Sequence, residues 1–228
     1  MNISILEQYA IPYVMEVKKT KHMRIRFDQQ AVLHITYPLG CKIESLESFI
    51  SKHIEWILEK RSQSLEKIVT YTNGSRQYVF GETCTLQINL SKTKRIDKIG
   101  DMIMVSVHDI KDVRKDMLQW RRELAENAFE QLLYACFMKM EHELATFPKM
   151  VIQQSKTKWG CCYIHENKIM LNVALTQVPF ELIEYVICHE LTHFIVHNHS
   201  KLFHDQLSQY VTEERTKAKM LKKYPNIL

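Results

Sequence analysis

Short alternating and β-branched runs fill the opening of the chain. Residues 13–17, 24–27 and 32–37 each read as a strand, the last stopped by Pro38-Leu39-Gly40. Leu46, Ile50, Ile54 and Ile57 then recur at helical spacing behind Ser45 as a candidate N-cap, which predicts one helix. Asn73-Gly74 is a turn signal that predicts a hairpin between residues 69–72 and 77–80, and residues 83–90 and 102–108 read as further strands.

The pattern changes period after residue 111. From Asp112 to about Ala145 there is neither Gly nor Pro, and Met117, Trp120, Leu124, Ala128, Leu132 and Phe137 keep an approximate 3.6-residue stripe, so one long helix ended by Pro148 is expected. A second hairpin follows, with residues 159–164 and 168–172 as arms around 165–167. Pro179 sits well for a helix first turn, and Leu182, Ile183, Val186, Ile187, Leu191, Phe194 and Ile195 form a wide apolar face behind it. Ser200 is placed to cap a last helix carrying Phe203, Leu207, Tyr210 and Val211. The expected class is α+β, with a β-rich region holding one helix over residues 1–110 and a second, more helical region over 111–228, able to form a single compact unit.

Composition narrows the class of protein further. With 46% apolar and 25% charged residues the chain of 228 is an ordinary globular one, which excludes a disordered tail, a collagen repeat and a coiled-coil rod. The net charge of +5 belongs to residues 1–100 and 201–228, while 101–200 are slightly acidic. The start MNISILEQYA lacks a basic segment followed by an apolar one, and no run of 18 apolar residues occurs, so a soluble, cytoplasmic protein without membrane partners is expected. The six cysteines form no CxxC pair, and reduced thiols are expected rather than disulfides. Vicinal Cys161 and Cys162, with Cys188, lack a recognised ligand spacing and read as structural thiols.

The candidate chemistry lies in the histidines. Of 11, five (His189, His193, His197, His199 and His204) fall within 16 residues. His189-Glu190-Leu191-Thr192-His193 is an HExxH on a predicted helix, where residues four apart share one face about 6 Å apart, so two imidazoles converge on one cation with Glu190 beside them. His142-Glu143-Leu144-Ala145-Thr146 opens alike but has Thr146 in place of the second ligand, and is read as helix surface. Zinc in hydrolases takes three protein ligands and leaves a position for water. On a straight helix His197 lies about 12 Å along the axis from His189, too far to share an ion. His199 becomes available if the helix ends near His197 and Asn198 adopts a left-handed cap, needed because no Gly follows Gly160. Its spacing resembles that of metzincin peptidases. Glu213 or its neighbour Glu214 is the rival, at a spacing resembling gluzincin peptidases.

The block Lys156-Thr157-Lys158-Trp159-Gly160-Cys161-Cys162, then Met170-Leu171-Asn172, then the HExxH and Asn198-His199-Ser200 with Phe203, resembles the YgjP-like metallohydrolases, relatives of SprT-like and WLM zincins. Arg24-Ile25-Arg26, Tyr37-Pro38-Leu39-Gly40 and Glu55-Trp56-Ile57 are similar to that family's opening sheet and helix, so the resemblance spans roughly residues 12–210. It implies a zincin-like catalytic half (long helix, β-hairpin, HExxH helix, capping helix), His189, His193 and His199 as zinc ligands and Glu190 as the catalytic carboxylate. This chain departs from the family's usual Trp-Gly-Ser-Cys at Cys161, and from its usual Trp after the Asn-His-Ser motif at His204. That histidine is read either as an oxyanion donor or as a rim residue without a role.

The activity expected is zinc-dependent, peptidase-like hydrolysis by an activated water with Glu190 as general base. Residues 168–172 are the expected sheet edge on which an extended peptide would add as a strand. Lys156 and Lys158 read as phosphate or carboxylate partners or as plain surface. One alternative is a nucleoside triphosphate (UTP-type) pyrophosphatase on the same site. Another is a metal-stabilised module associated with nucleic acid, for which no RNA motif or helix-turn-helix stands out.

Overall fold

The computed structural model describes residues 2–28, 30–65, 68–225 and 228 and has an α+β fold. By contacts the chain divides into two compact units, Met1–Ile68 and Val69–Leu228.

The first unit holds α1 (Ser4–Gln8), the strands β1 (Tyr13–Lys18), β2 (Arg24–Phe27) and β3 (Leu33–Pro38), and the helices α2 (Ile43–Lys52) and α3 (Ile54–Leu65). Strand order is β1-β3-β2, with β1 parallel and β2 antiparallel to the centre. Leu33 and Ile35 alternate inward from β3 onto Leu6, Leu46, Ile50 and Ile57, all fully buried, so the sheet covers its helices with one face. Where one helix was expected there are two. The His53 imidazole takes the Phe49 carbonyl at 2.8 Å, and the His53 amide turns to Ile50 instead at 3.0 Å, which breaks the helical ladder. Ser45 lies inside α2, whose N-cap position is Lys42.

In the second unit β4 (Arg76–Val79), β5 (Glu82–Leu90), β6 (Arg95–Ile99) and β7 (Met102–Val107) form a sheet in the order β4-β5-β7-β6. The hairpin here closes at Phe80-Gly81, both at positive φ, as a two-residue turn between Val79 and Glu82. Asn73-Gly74 does turn, but no strand precedes it. Asn73 Oδ1 accepts from the Ile88 amide at 2.8 Å, the Gly74 amide donates to the Leu86 carbonyl at 2.8 Å and the Ser75 carbonyl accepts from the Leu86 amide at 2.9 Å, so the turn leads into the pairing with β5 instead of closing a hairpin with residues 69–72. Strand β6, whose inward side is only partly buried, escaped the pattern.

The helix α4 (Val113–Lys139) then runs beneath this sheet and the next, which is built from β8 (Lys149–Gln153), β9 (Gly160–Tyr163) and β10 (Lys168–Asn172) in the order β8-β10-β9. α4 ends well before Pro148, because the chain leaves the axis to bury Met140 and Leu144. Its buried stripe is Val113, Met117, Arg121, Ala125, Phe129, Leu133 and Cys136. Arg121 is fully buried in that stripe, donating to Thr176 Oγ1 at 3.2 Å and Gln77 Oε1 at 3.5 Å. These bonds, with the Phe80 amide on the Thr176 carbonyl at 2.8 Å and Phe80 stacked on Phe180 at 4.5 Å, bind the sheet of residues 76–107 to the part of the chain carrying the histidines. The sequence pattern places that sheet in the β-rich region of residues 1–110. The remaining helices are α5 (Phe180–Thr192), α6 (Lys201–Leu207) and α7 (Glu214–Leu221). All six cysteines are free thiols, and among the described residues no helix is long and apolar enough to cross a membrane.

Candidate metal centre

Helix α5 is apolar on most sides, with Leu182, Ile183, Val186, Ile187 and Leu191 buried, so it lies inside the second unit and presents its last turn to the site. His189 and His193 stand on that turn with ring centroids 5.0 Å apart. The helix stops at Thr192, five residues before His197. The Thr192 hydroxyl donates to the Cys188 carbonyl at 2.7 Å, and the next amides close short turns, Phe194 on Leu191 and Ile195 on Thr192 at 3.0 Å each. Asn198 is not among the residues at positive φ, so the expected left-handed cap is absent. Its side chain makes the turn instead, accepting from the Ser200 amide at 3.2 Å.

That early stop returns His199 to the helix end. His199 Nε2 is 3.0 Å from His189 Nε2, its ring centroid is 4.7 Å from that of His193, and one ring nitrogen from each of the three histidines falls within 4.8 Å of the others. Phe203 supports the cluster from α6, with its ring 4.7 to 4.9 Å from all three imidazoles. Burial, followed by the imidazoles of His193, His199 and His204, pushes His189 down to about 3. Burial and then His199 lower His193 as well. Three imidazoles, each with one ring nitrogen in the cluster, are the donor set a borderline-soft divalent cation takes.

Glu190 is 7% exposed and lies against β9. A methyl group added at Gly160 would lie 2.6 Å from Glu190 Oε1 and 2.7 Å from its Cγ, so the strand approaches this closely only with glycine. Burial pushes the Glu190 carboxyl up to about 7, against a hydrogen bond from the Cys162 amide and the charge of Lys158. Burial and then Glu190 raise the Cys162 thiol to about 12. The edge strand beside the site is therefore β9. Residues 168–172, the expected edge, form β10 at the centre of the sheet, because β8 pairs on its other side.

Asn172 has a positioning job that the sequence did not disclose. Fully buried, it donates from Nδ2 to the carbonyls of Ser155 and Lys158 at 2.8 Å each, and its amide donates to Trp159 at 2.8 Å, which sets the loop leading into Gly160. Neither Glu213 nor Glu214 joins the histidine cluster. Glu214 accepts from His204 Nδ1 instead, at 2.9 and 3.0 Å. His197 is exposed and bonds back to the His193 carbonyl. Past the end of α4, His142 projects into solvent, whereas Glu143 accepts from the Tyr210 hydroxyl at 2.6 Å and from Gln206.

Half-buried HExxH histidines, a third, exposed imidazole and an α+β fold fit a metal-dependent hydrolase of the metallopeptidase class. The model of the family described as YgjP-like, metallopeptidase domain, matches residues 21–224, and the chain belongs to that family. Among solved structures it is similar to the metallopeptidase zymogens of Methanocaldococcus jannaschii jannalysin and Pyrococcus abyssi abylysin. Both are 22% identical, and the matches cover 41% of this chain and 91% of the former, and 42% and 93% for the latter, with TM-scores of 0.36 and 0.37. No curated protein matches the chain.

Proposed function

We propose that the protein is a zinc-dependent, peptidase-like hydrolase in which His189, His193 and His199 hold the metal and Glu190 is the general base. The observation that carries this reading is the convergence of three imidazole nitrogens within 4.8 Å next to a buried carboxylate. Zinc at such a position supplies a Lewis acid that lowers the pKa of a water toward 7 and polarises the scissile carbonyl. Glu190 takes one proton from the attacking water as its oxygen bonds to the carbonyl carbon, and passes that proton to the leaving nitrogen as the C–N bond breaks. The free edge of β9 receives the peptide as an added strand, held by backbone hydrogen bonds and hence with weak sequence preference.

The test is hydrolysis of fluorescein-labelled casein by zinc-loaded protein, with and without chelator, alongside Glu190→Gln. Chelator-sensitive turnover that disappears in the variant while zinc stays bound supports the reading. Turnover surviving Glu190→Gln removes the general-base role, and hydrolysis of nucleoside triphosphates in place of casein moves the same site to phosphoanhydride chemistry.

A further inference from the structure

The first turn of α6 lies against the histidine cluster through Phe203, and the next residue is His204, whose ring meets that of Phe203 edge-on at 5.6 Å. His204 Nδ1 faces both oxygens of Glu214, at 2.9 and 3.0 Å. The carboxylate is largely enclosed, with 17% of its side chain exposed, while 49% of the imidazole is open. Glu213 adopts a left-handed φ of 54°, a conformation that non-glycine residues enter at a cost, and the turn it makes brings Glu214 back to His204 at the start of α7. Glu214 accepts from Nδ1–H, and in the imidazolium form, whose charge this carboxylate balances, Nε2–H is the second donor. Tyr185, one helical turn before His189, lies 6.0 Å from it ring to ring, and the charges of Glu214 and Glu190 both reach its phenol.

We infer that His204, oriented by Glu214, binds the oxygen of the substrate that becomes negatively charged during hydrolysis beside the His189, His193 and His199 cluster. His204 is then a catalytic residue and Glu214 a positioning residue. The inference rests on the hydrolase reading above, but reaches a residue which that reading does not use. An imidazolium held in one orientation by an enclosed carboxylate suits the task, because its remaining N–H is a preformed donor that needs no reorganisation as the charge develops.

Two readouts test it. Inorganic phosphate serves as an oxyanion probe: titrated into zinc-loaded protein, it is expected to shift the His204 Nε2 resonance and to bind about 10-fold more weakly to His204→Ala and Glu214→Ala. In casein turnover the same variants are expected to lose about 100-fold in kcat with KM and zinc content nearly unchanged, and His204→Gln, which keeps a donor, to recover part of the loss. If wild-type protein leaves casein intact yet phosphate affinity still depends on His204, the peptidase reading fails and the oxyanion role stands. Unchanged phosphate affinity and kcat in zinc-replete His204→Ala, or an equal loss in His204→Gln and His204→Ala, overturns the inference.

Discussion

Gly160 and Glu190 touch backbone to side chain, leaving less than a methyl group's room between strand and carboxylate. In Gly160→Ala one of the two must move, and displacing a reacting group by about 1 Å is enough to cost about 100-fold in rate. The expected outcome is that loss in kcat with zinc fully bound, measured by turnover and metal analysis on the same preparation. Near wild-type turnover would show that Glu190 tolerates the shift.

Asn172 governs the same approach from one step further back. Replacing it by Ala leaves the Ser155 and Lys158 carbonyls without their donor in a partly buried loop, a loss of about 2–4 kcal/mol by the usual penalty for such groups. Chemical denaturation of the second unit is expected to report this, with added hydrogen exchange across residues 154–163.

Arg121 ties the sheet of β4 to β7 to the segment before α5 from a fully buried position. Arg121→Ala removes the donor shared by Thr176 and Gln77 and opens a cavity, so at least about 3 kcal/mol of stability is expected to disappear. Arg121→Met, which refills the volume, is expected to recover part of it.

In the first unit the tight turn before β3 depends on Asp28. Burial pushes its carboxyl up, but hydrogen bonds from His34 and from the Val32 and Gln30 amides outweigh this and hold it below its ordinary 3.8. A depressed carboxyl contributes stability above its unfolded pKa and loses it as pH falls through the folded value. Asp28→Asn is therefore expected to lower hydrogen-exchange protection across β2 and β3 at pH 7, with the gap from wild type closing below about pH 3.8. A gap that stays constant with pH would locate the effect elsewhere.

The proximity of His189 and His193 was legible because it follows from helix spacing alone. His189 and His193 share a face whatever surrounds them, whereas His199 reaches them only if the helix stops and the chain turns back. How the chain returns was not legible: the stop depends on a Thr192 hydroxyl and an Asn198 side chain, either of which is compatible with a longer helix. Tertiary partners decided the other departures. The burial of Arg121 depends on Gln77 and Thr176, which only the fold brings to it, β10 reads as an edge until β8 arrives in parallel, and Glu214 is a rival ligand until His204 takes it.

The central claim is that three histidines hold the metal, and zinc stoichiometry measures it most directly. Purified wild-type protein is expected to carry one zinc per chain with three nitrogen neighbours near 2.1 Å by X-ray absorption. His199→Ala is expected to lose the metal while Glu213→Ala and Glu214→Ala keep it. Full zinc occupancy in folded His199→Ala, or its loss in Glu213→Ala, would contradict the account.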